Sequence, residues 1–485
     1  MSIPVFLYYL VSLGVTVYSG HIFLLCCLFV VQRWLARPKT SPTLTSYPQV
    51  TVQLPIFNEA RVLERLLAAA AALDWPRDCL KIQVLDDSTD DTADLAAALV
   101  RQHQQAGVPI VHIHRTNREG YKAGALSAAM DGTDGEFIAI FDADFVPQPE
   151  FLKLLMPYLL EEPRRAFVQA RWGHLNRNYS LLTRLQSLLI DGHFIIDQQV
   201  RAWAGLPMHF NGTAGIWRRA AIEDCEGWQH DTLCEDLDLS YRALLRGWKP
   251  GYAVDVVVPA ELSPQLQAFR QQQFRWAKGS TQCVKKLAPQ VLESKTMPWW
   301  KKGFALVHIS GYTIHVLFML QVLLGPWAGL GLRPQDLGPL SALGATSALT
   351  FVFFYVLVLR EIDPSGWRRT ASRDFPVLML LVVGICVNTC LALLEGWTGW
   401  GSNAFQRTPK FNVLHKGDRW KDSRYRLPIS PTALVEVGLG LYSLAGAYLL
   451  YQAHCYFLVP QSCYFGLGFL SMACFSLQDL PGRRS

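Results

Sequence analysis

Four groups of residues in this chain have the types and spacing to do chemistry. Asp142 and Asp144 close the run FIAIFDADF, Phe137 to Phe145, in which mostly apolar residues lead straight into two carboxylates one residue apart. Burying carboxylates at the end of an apolar strand is costly unless their charge is neutralised. The usual neutraliser is a divalent cation such as Mg²⁺ or Mn²⁺, which prefers hard oxygen ligands and also holds a diphosphate. Asp86-Asp87-Ser88 ends a second apolar run, Ile82–Leu85. Cys234-Glu235-Asp236 stands at what reads as a helix start, with Asp238 two residues on and an apolar face from Leu237, Leu239, Tyr241, Leu244 and Leu245. Such acidic residues either favour the helix N-terminus electrostatically, worth ~0.3–1 kcal/mol, or supply a general base. The fourth group is Gln271-Gln272-Gln273-Phe274-Arg275-Trp276, which on its own also fits a polar amphipathic helix with one buried Trp. Any one of these groups alone fits solvated surface charge as well as it fits a site.

The elements between them raise the odds of a site. Val50–Leu54 reads as a buried strand and Glu59–Ala72 as a helix. Ile82–Leu85 is a second strand, and Thr89 or Asp90 can cap the helix Asp91–Ala106. Ile110–Ile113, Lys122–Met130 and Phe137–Phe141 continue as strand, helix and strand. This alternation predicts a parallel, doubly wound sheet. Such sheets bind ligands beyond the carboxyl ends of their strands. Asn58-Glu59, Asp86-Asp87 and Asp142/Asp144 all fall at that edge, so a nucleotide site is expected there.

The chain has 485 residues, 51% hydrophobic and only 17% charged, against about 25% charged in ordinary soluble proteins. Residues 3–31 contain no Lys, Arg, Asp or Glu, long enough to span a bilayer, which needs ~20 apolar residues. Arg33, Arg37 and Lys39 follow, so residue 40 onward is expected in the cytosol. Pro38–Pro48 reads as a linker. Four further spans are expected at about 304–328, 340–359, 433–453 and 456–475. The run Phe375–Leu394 has basic segments on both sides, Arg360 to Arg373 before it and Arg407 to Arg426 after it. Both flanks therefore belong in the cytosol, and 375–394 is expected to be interfacial or re-entrant, with Asn388 and Thr389 facing protein or water. The 331–339 and 454–462 connections, with Arg333 as their one Lys or Arg, come out external, and Arg483-Arg484 cytosolic. The net charge of +6 follows from these membrane flanks, and no nucleic-acid partner is expected. The 11 cysteines show no Cys-x-x-Cys spacing in the soluble part, which argues against a cysteine zinc site or a disulfide framework and for a reducing compartment. Cys455 and Cys463 are close enough in sequence to pair.

The ordered set Asp86-Asp87, Asp142-x-Asp144, Glu235-Asp236 and Gln272-x-x-Arg275-Trp276 resembles the processive family 2 membrane glycosyltransferases, the cellulose, mannan, chitin and hyaluronan synthases. The strings QVLDDSTD, GYKAGAL, IFDADF, VQARW, FNGTAGIWR and FRWAKG look most like the cellulose-synthase-like mannan and glucomannan synthases of plants and their bacterial relatives. The resemblance covers about 48–285 strongly and extends to Phe405-x-x-Thr408-x-Lys410, similar to the family's gating loop. Cys234 stands where the cellulose synthases have Thr.

The resemblance implies a cytosolic GT-A type, Rossmann-like α/β domain inserted between α-helical transmembrane segments of a multi-pass protein of a bacterial plasma membrane. The expected division is a transmembrane helix and basic flank at 1–39, the catalytic domain at 40–262 and interfacial helices with the Gln-x-x-Arg-Trp motif at 263–303. Two spans and a cytosolic loop follow at 304–374, an interfacial helix and gating loop at 375–431, and two spans with a cytosolic tail at 432–485. It implies an inverting hexosyltransferase that moves a sugar from GDP-mannose or UDP-glucose to a growing β-glycan, a β-1,4 mannan, glucan or glucomannan, and extrudes the polymer. A glycolipid synthase adding one sugar to ceramide or diacylglycerol is the alternative. Asp236 is then the base with Glu235 beside it, and Asp144 with Asp142 holds Mg²⁺ or Mn²⁺. Asp86, Asp87, Lys122, Asp142, Gln272, Arg275, Thr408 and Lys410 face the nucleotide. Trp276, Phe210, Asn211 and Gly212 face the acceptor, and Phe405 is an apolar plug. Accessory subunits or a homo-oligomer are left open.

Overall fold

The computed structural model describes residues 2–35, 44–332 and 334–479. Arg37, Lys39, Arg333, Arg483-Arg484 and most of the Pro38–Pro48 linker lie outside them. Seven strands form one sheet: β1 (Val50–Ile56), β2 (Leu80–Asp86), β3 (Ile110–His114), β4 (Phe137–Ile140), β5 (Arg165–His174), β6 (Gly215–Arg218) and β7 (Lys249–Ala260). Their order is β3-β2-β1-β4-β6-β5-β7. The expected parallel arrangement holds for β1, β2, β3 and β4. It fails at β6, which runs antiparallel to both β4 and β5, so the sheet is mixed. β5 and β7 pair in parallel.

Every residue of β1 and β4 is buried, because helices cover both faces. On β4 the alternation is clean. Phe137 and Ala139 pack with Val62, Leu66, Ala96 and Leu155 in one core, whereas Ile138 and Ile140 pack with Leu126, Ala221 and Leu239 in another. Successive strand side chains point to opposite faces, so an uninterrupted apolar run is what a strand covered on both sides requires. β4 is thus clamped in place, and Asp142 and Asp144 follow it at the carboxyl edge. The helix Leu266–Glu293, which carries Gln272, Arg275 and Trp276, leaves β7 and packs on the helix Cys386–Thr398.

Among the described residues, five helices are long and apolar enough to cross a membrane: Ile3–Leu35, Thr313–Gly331, Gly338–Ile362, Trp367–Thr398 and Thr432–Gln452. The helix Val459–Gln478, where a span is expected, is not among these five. The run 375–394, expected to be interfacial, is part of the fourth. That stretch is interrupted at Ile385, between Trp367–Gly384 and Cys386–Thr398. Asn388 donates through Nδ2 to the Arg270 carbonyl at 3.0 Å, and Thr389 is fully buried. Cys455 and Cys463 are both free thiols.

Candidate active site

One cavity of about 580 Å³ opens beyond the carboxyl ends of β1, β2 and β4 and continues along Leu266–Glu293 to His308, Gly311, Tyr312 and His315 near the apolar helices. Asp142 and Asp144 stand at its sheet end. Lys122 Nζ, from the helix Tyr121–Ala129, lies 2.6 Å from Asp142 Oδ1. Lys410 Nζ, from the loop after Thr398, lies 2.6 Å from Asp144 Oδ2. Burial disfavours both ammonium charges, but Asp142 with Glu235 holds the Lys122 pKa above its ordinary value, and Asp144 does the same for Lys410. Glu59 faces the same space. Enclosure away from water, reinforced by Asp144 and opposed by Arg407, pushes its carboxyl pKa up to about 7. Glu59, Asp142 and Asp144 all line this cavity, and carboxylate oxygens are the donors that Mg²⁺ and Mn²⁺ prefer. The two lysines supply the compensating charge, and both are of the kind that binds phosphate.

Glu235 and Asp236 open the helix Glu235–Leu245 on the facing wall. Burial first, and then the Glu235 carboxylate, push the Asp236 pKa up to about 7, with Lys122 opposing. A carboxylate so poised can accept a proton near neutral pH. Gly212 explains how the chain comes so close to it. Its φ of +79° belongs to the left-handed region, and a Cβ there would stand 3.0 Å from Asp236 Oδ2 and 3.4 Å from Lys122 Nζ. Asn211, Gln272, Arg275 and Trp276 also line the cavity.

The loop 399–413 borders the cavity through Phe405, Arg407, Thr408 and Lys410. Lys278, fully buried, holds Ser402 by its carbonyl at 2.9 Å and the Glu395 carboxylate at 2.8 Å. Arg275 donates to the Gln406 carbonyl at 2.9 Å. At the far end, the buried Glu261 carboxylate accepts the backbone N–H of Phe411, Asn412 and Val413 at 2.9, 3.1 and 3.3 Å. Between these anchors a ladder of rings and guanidiniums runs across the opening. Arg118 sits 3.4 Å over the Phe57 ring and 4.9 Å from Tyr121, Tyr121 stacks on Phe405 at 6.1 Å, and Arg275 lies 4.3 Å over Phe405. Thr408 Oγ1, Arg407 Nη1 and Arg118 Nε are buried without a hydrogen-bond partner among the described residues, and all three residues line the cavity. Unmatched donors in a polar pocket are what an anionic ligand would satisfy.

Two expected residues lie off the cavity. Asp86 is fully buried and turns towards His112 and His114 of β3, so only Asp87 faces the opening, held by Arg115 at 2.8 and 2.7 Å. Phe210 is fully buried against Phe167 and Trp217, where it shapes the wall from behind. Glu59 was marked only by its place at the sheet edge, and three further contributors, Arg118, Arg407 and Glu261, carried no signal of a site in the sequence. Only their neighbourhood in the fold identifies them.

Residues 48–279 match the family described as "Glycosyltransferase like family 2". Glucomannan 4-beta-mannosyltransferase 7 of Arabidopsis thaliana is 38% identical over 332 residues, 64% of this chain and 60% of that protein. Glucomannan 4-beta-mannosyltransferase 2 of the same plant is 41% identical over 287 residues, 58% of this chain and 52% of that protein. The match thus spans less than two thirds of either relative's length. Among solved structures, a mannosyltransferase of Pyrobaculum calidifontis in complex with GDP-Man and Mn²⁺ is 20% identical with a TM-score of 0.49, covering 81% of this chain and 100% of that one.

Proposed function

We propose, from a domain at residues 48–279 that belongs to the family 2 glycosyltransferases, that the protein transfers a hexose, mannose first among the candidates, from a nucleotide diphosphate to the end of a β-1,4-linked glycan and passes the product into the membrane. The observation that carries this is the continuity of the cavity. The same space is lined by Asp142, Asp144 and Asp236 at one end and by Trp276, Tyr312 and His315 at the other. The mannosyl choice rests on what the two plant relatives are named for.

In this reading Asp236 takes the proton of the acceptor hydroxyl as it attacks the anomeric carbon. Glu235 keeps Asp236 basic enough to act near neutral pH. The bond to the leaving diphosphate breaks on the opposite side, so a single displacement with one base inverts the anomeric centre and needs no carboxylate nucleophile. Lys122, Arg275, Thr408 and Lys410 orient the diphosphate and compensate its growing charge. Asp144, with Asp142, would hold Mg²⁺ or Mn²⁺, which supplies further charge neutralisation there. Asp87 and Gln272 serve the nucleoside side of the pocket. Trp276 stacks on the acceptor sugar, with Asn211 and the Gly212 backbone beside it. Closure of 399–413 excludes water from the donor.

The membrane division follows the same reading. The five apolar helices support an integral membrane protein with the catalytic domain on the cytosolic side. The Trp367–Thr398 stretch has 61% of its apolar window buried in protein, against 28–33% for the other four, which supports an interfacial place for 375–394 beneath the Gln272 helix.

Membranes containing the full chain, given labelled GDP-mannose and UDP-glucose in parallel, test this. The expected result is divalent-dependent label in a polymer degraded by an endo-β-1,4-mannanase. Label only in a lipid-extractable monosaccharide conjugate would move the assignment to a glycolipid synthase.

A further inference from the structure

The His112–His114–Asp86 cluster lies outside the cavity and no step above uses it. β3 is an edge strand, and its pairing with β2 sets Asp86 opposite His114 and Val84 opposite His112. His112 and His114 are two residues apart, so both imidazoles project to one face. His112 Nε2 lies 2.9 Å and His114 Nδ1 3.2 Å from the same carboxylate oxygen, Asp86 Oδ2. The three ligand atoms all fall within 4.8 Å of one another.

The carboxylate is held from outside the cluster. Asp86 is fully buried, and its other oxygen, Oδ1, accepts the Ser88 backbone N–H at 2.8 Å. An outer hydrogen bond of this kind fixes the orientation of a metal-ligating carboxylate. The imidazoles lead outwards, with 17% and 35% of their side chains exposed, so an ion can reach them from solvent. Two imidazoles and one carboxylate are the donor set of zinc and of similar transition metals, with a fourth position open. Mg²⁺ and Mn²⁺, which suit the all-oxygen Asp142/Asp144 set, are poorly matched to it.

We propose that Asp86, His112 and His114 bind one transition-metal ion of the zinc class, separate from the ion expected at Asp142 and Asp144. Its place gives it a structural role. Arg115 donates its backbone N–H to the Asp86 carbonyl at 2.8 Å and grips Asp87 through its guanidinium. An ion bridging β2 and β3 therefore stiffens the two residues that deliver Asp87 to the cavity, and the cysteine pattern gives no hint of such a site.

The test uses the purified full chain, dialysed against a weak chelator in Mg²⁺ buffer, with bound zinc read by elemental analysis. One equivalent is expected in the wild type and in Asp142→Asn, with affinity at least tenfold weaker in His112→Ala and in His114→Ala. Cobalt substituted into wild type should give the visible bands of a low-coordinate site, and His114→Cys should add a thiolate-to-cobalt band. Zinc absorption-edge fine structure on the wild type, which needs no variant to fold, should show two imidazoles and an oxygen ligand. No stoichiometric metal in the wild type, equal binding in the histidine variants, or a ligand shell without two imidazoles would each overturn the site.

Discussion

Lys410 Nζ stands 2.6 Å from Asp144 Oδ2, so the loop that follows the apolar helix pair reaches back onto the carboxylate expected to hold a cation. Lys122 makes the matching contact with Asp142. Each carboxylate is neutralised by a lysine that could instead serve a diphosphate, and exchange of lysine for cation would free both ammonium groups for the donor. Charge-assisted hydrogen bonds of this type contribute about 1.5–3 kcal/mol. Lys410→Ala is therefore expected to weaken binding of the nucleoside diphosphate roughly 10–100-fold in the presence of Mn²⁺. Calorimetry on the purified protein reads this directly, and unchanged affinity would remove Lys410 from the donor site.

The raised Asp236 pKa sets a pH dependence. The group is protonated below about 7 and cannot then act as base. Turnover at saturating donor should rise with pH through that region and level above it, with the apparent value belonging to the Glu235–Asp236 pair. Glu235 raises the Asp236 pKa, so Glu235→Gln should move the rising limb to lower pH. Asp236→Asn should cost about 10²–10⁴-fold in turnover while donor binding stays within a few-fold of wild type. A pH profile that ignores Glu235→Gln would count against this pairing.

Arg118 ties the 399–413 loop to the cavity wall. Its guanidinium contacts the Phe57 and Tyr121 rings and donates to the Phe405 carbonyl at 3.3 Å. Cation–ring contacts contribute about 0.5–2 kcal/mol each, enough in sum to bias a loop between open and closed. Arg118→Ala should leave the loop open more of the time, raising hydrolysis of the donor to free sugar several-fold when no acceptor is present. Arg118→Lys, which keeps the charge without the planar stacking group, should fall between. Sugar release equal in all three proteins would show that the ladder does not govern closure.

The parts of this arrangement legible in the sequence are those carried by local pattern. The uniform apolar run of β4 announced a strand covered on both faces, and the carboxylates directly after it had to sit at the sheet edge. Asp86 and Asp87 illustrate what adjacency hides. Neighbouring strand residues face opposite sides, so one of the two had to turn from the ligand, but which one depends on where His112 and His114 lie on the next strand. The antiparallel β6 was masked because Gly215–Arg218 is short and follows a glycine turn. Phe210 lies beside Asn211 and reads as part of the same mouth, yet its ring is taken up by Phe167 and Trp217. Glu261 was illegible for another reason: its partners lie 150 residues and more away, and nothing in its own neighbourhood marks it.

A fully buried ion pair, besides the Lys278–Glu395 contact, ties the helix that carries Gln272, Arg275 and Trp276 to the apolar helices. Arg270 and Glu436, 0% exposed as whole residues, meet at 2.6 Å, and the Arg270 guanidinium also donates to Thr432 Oγ1 at 3.3 Å. The Arg270 carbonyl receives Asn388 from Cys386–Thr398, so three helices converge on this residue. Removing one partner of a buried pair strands the other and costs about 3–5 kcal/mol, whereas replacing both by apolar groups of similar volume is often neutral or stabilising. Glu436→Ala should lower the thermal midpoint of the detergent-solubilised protein by several degrees and shorten the life of its activity at 37 °C. The double variant Arg270→Met, Glu436→Leu should recover most of that stability. If it also recovers the rate, the pair serves only to hold the helix. If stability returns without the rate, the pair sets the position of Arg275 and Trp276 over the cavity. Stability unchanged in Glu436→Ala would show that the two helices are joined by other contacts.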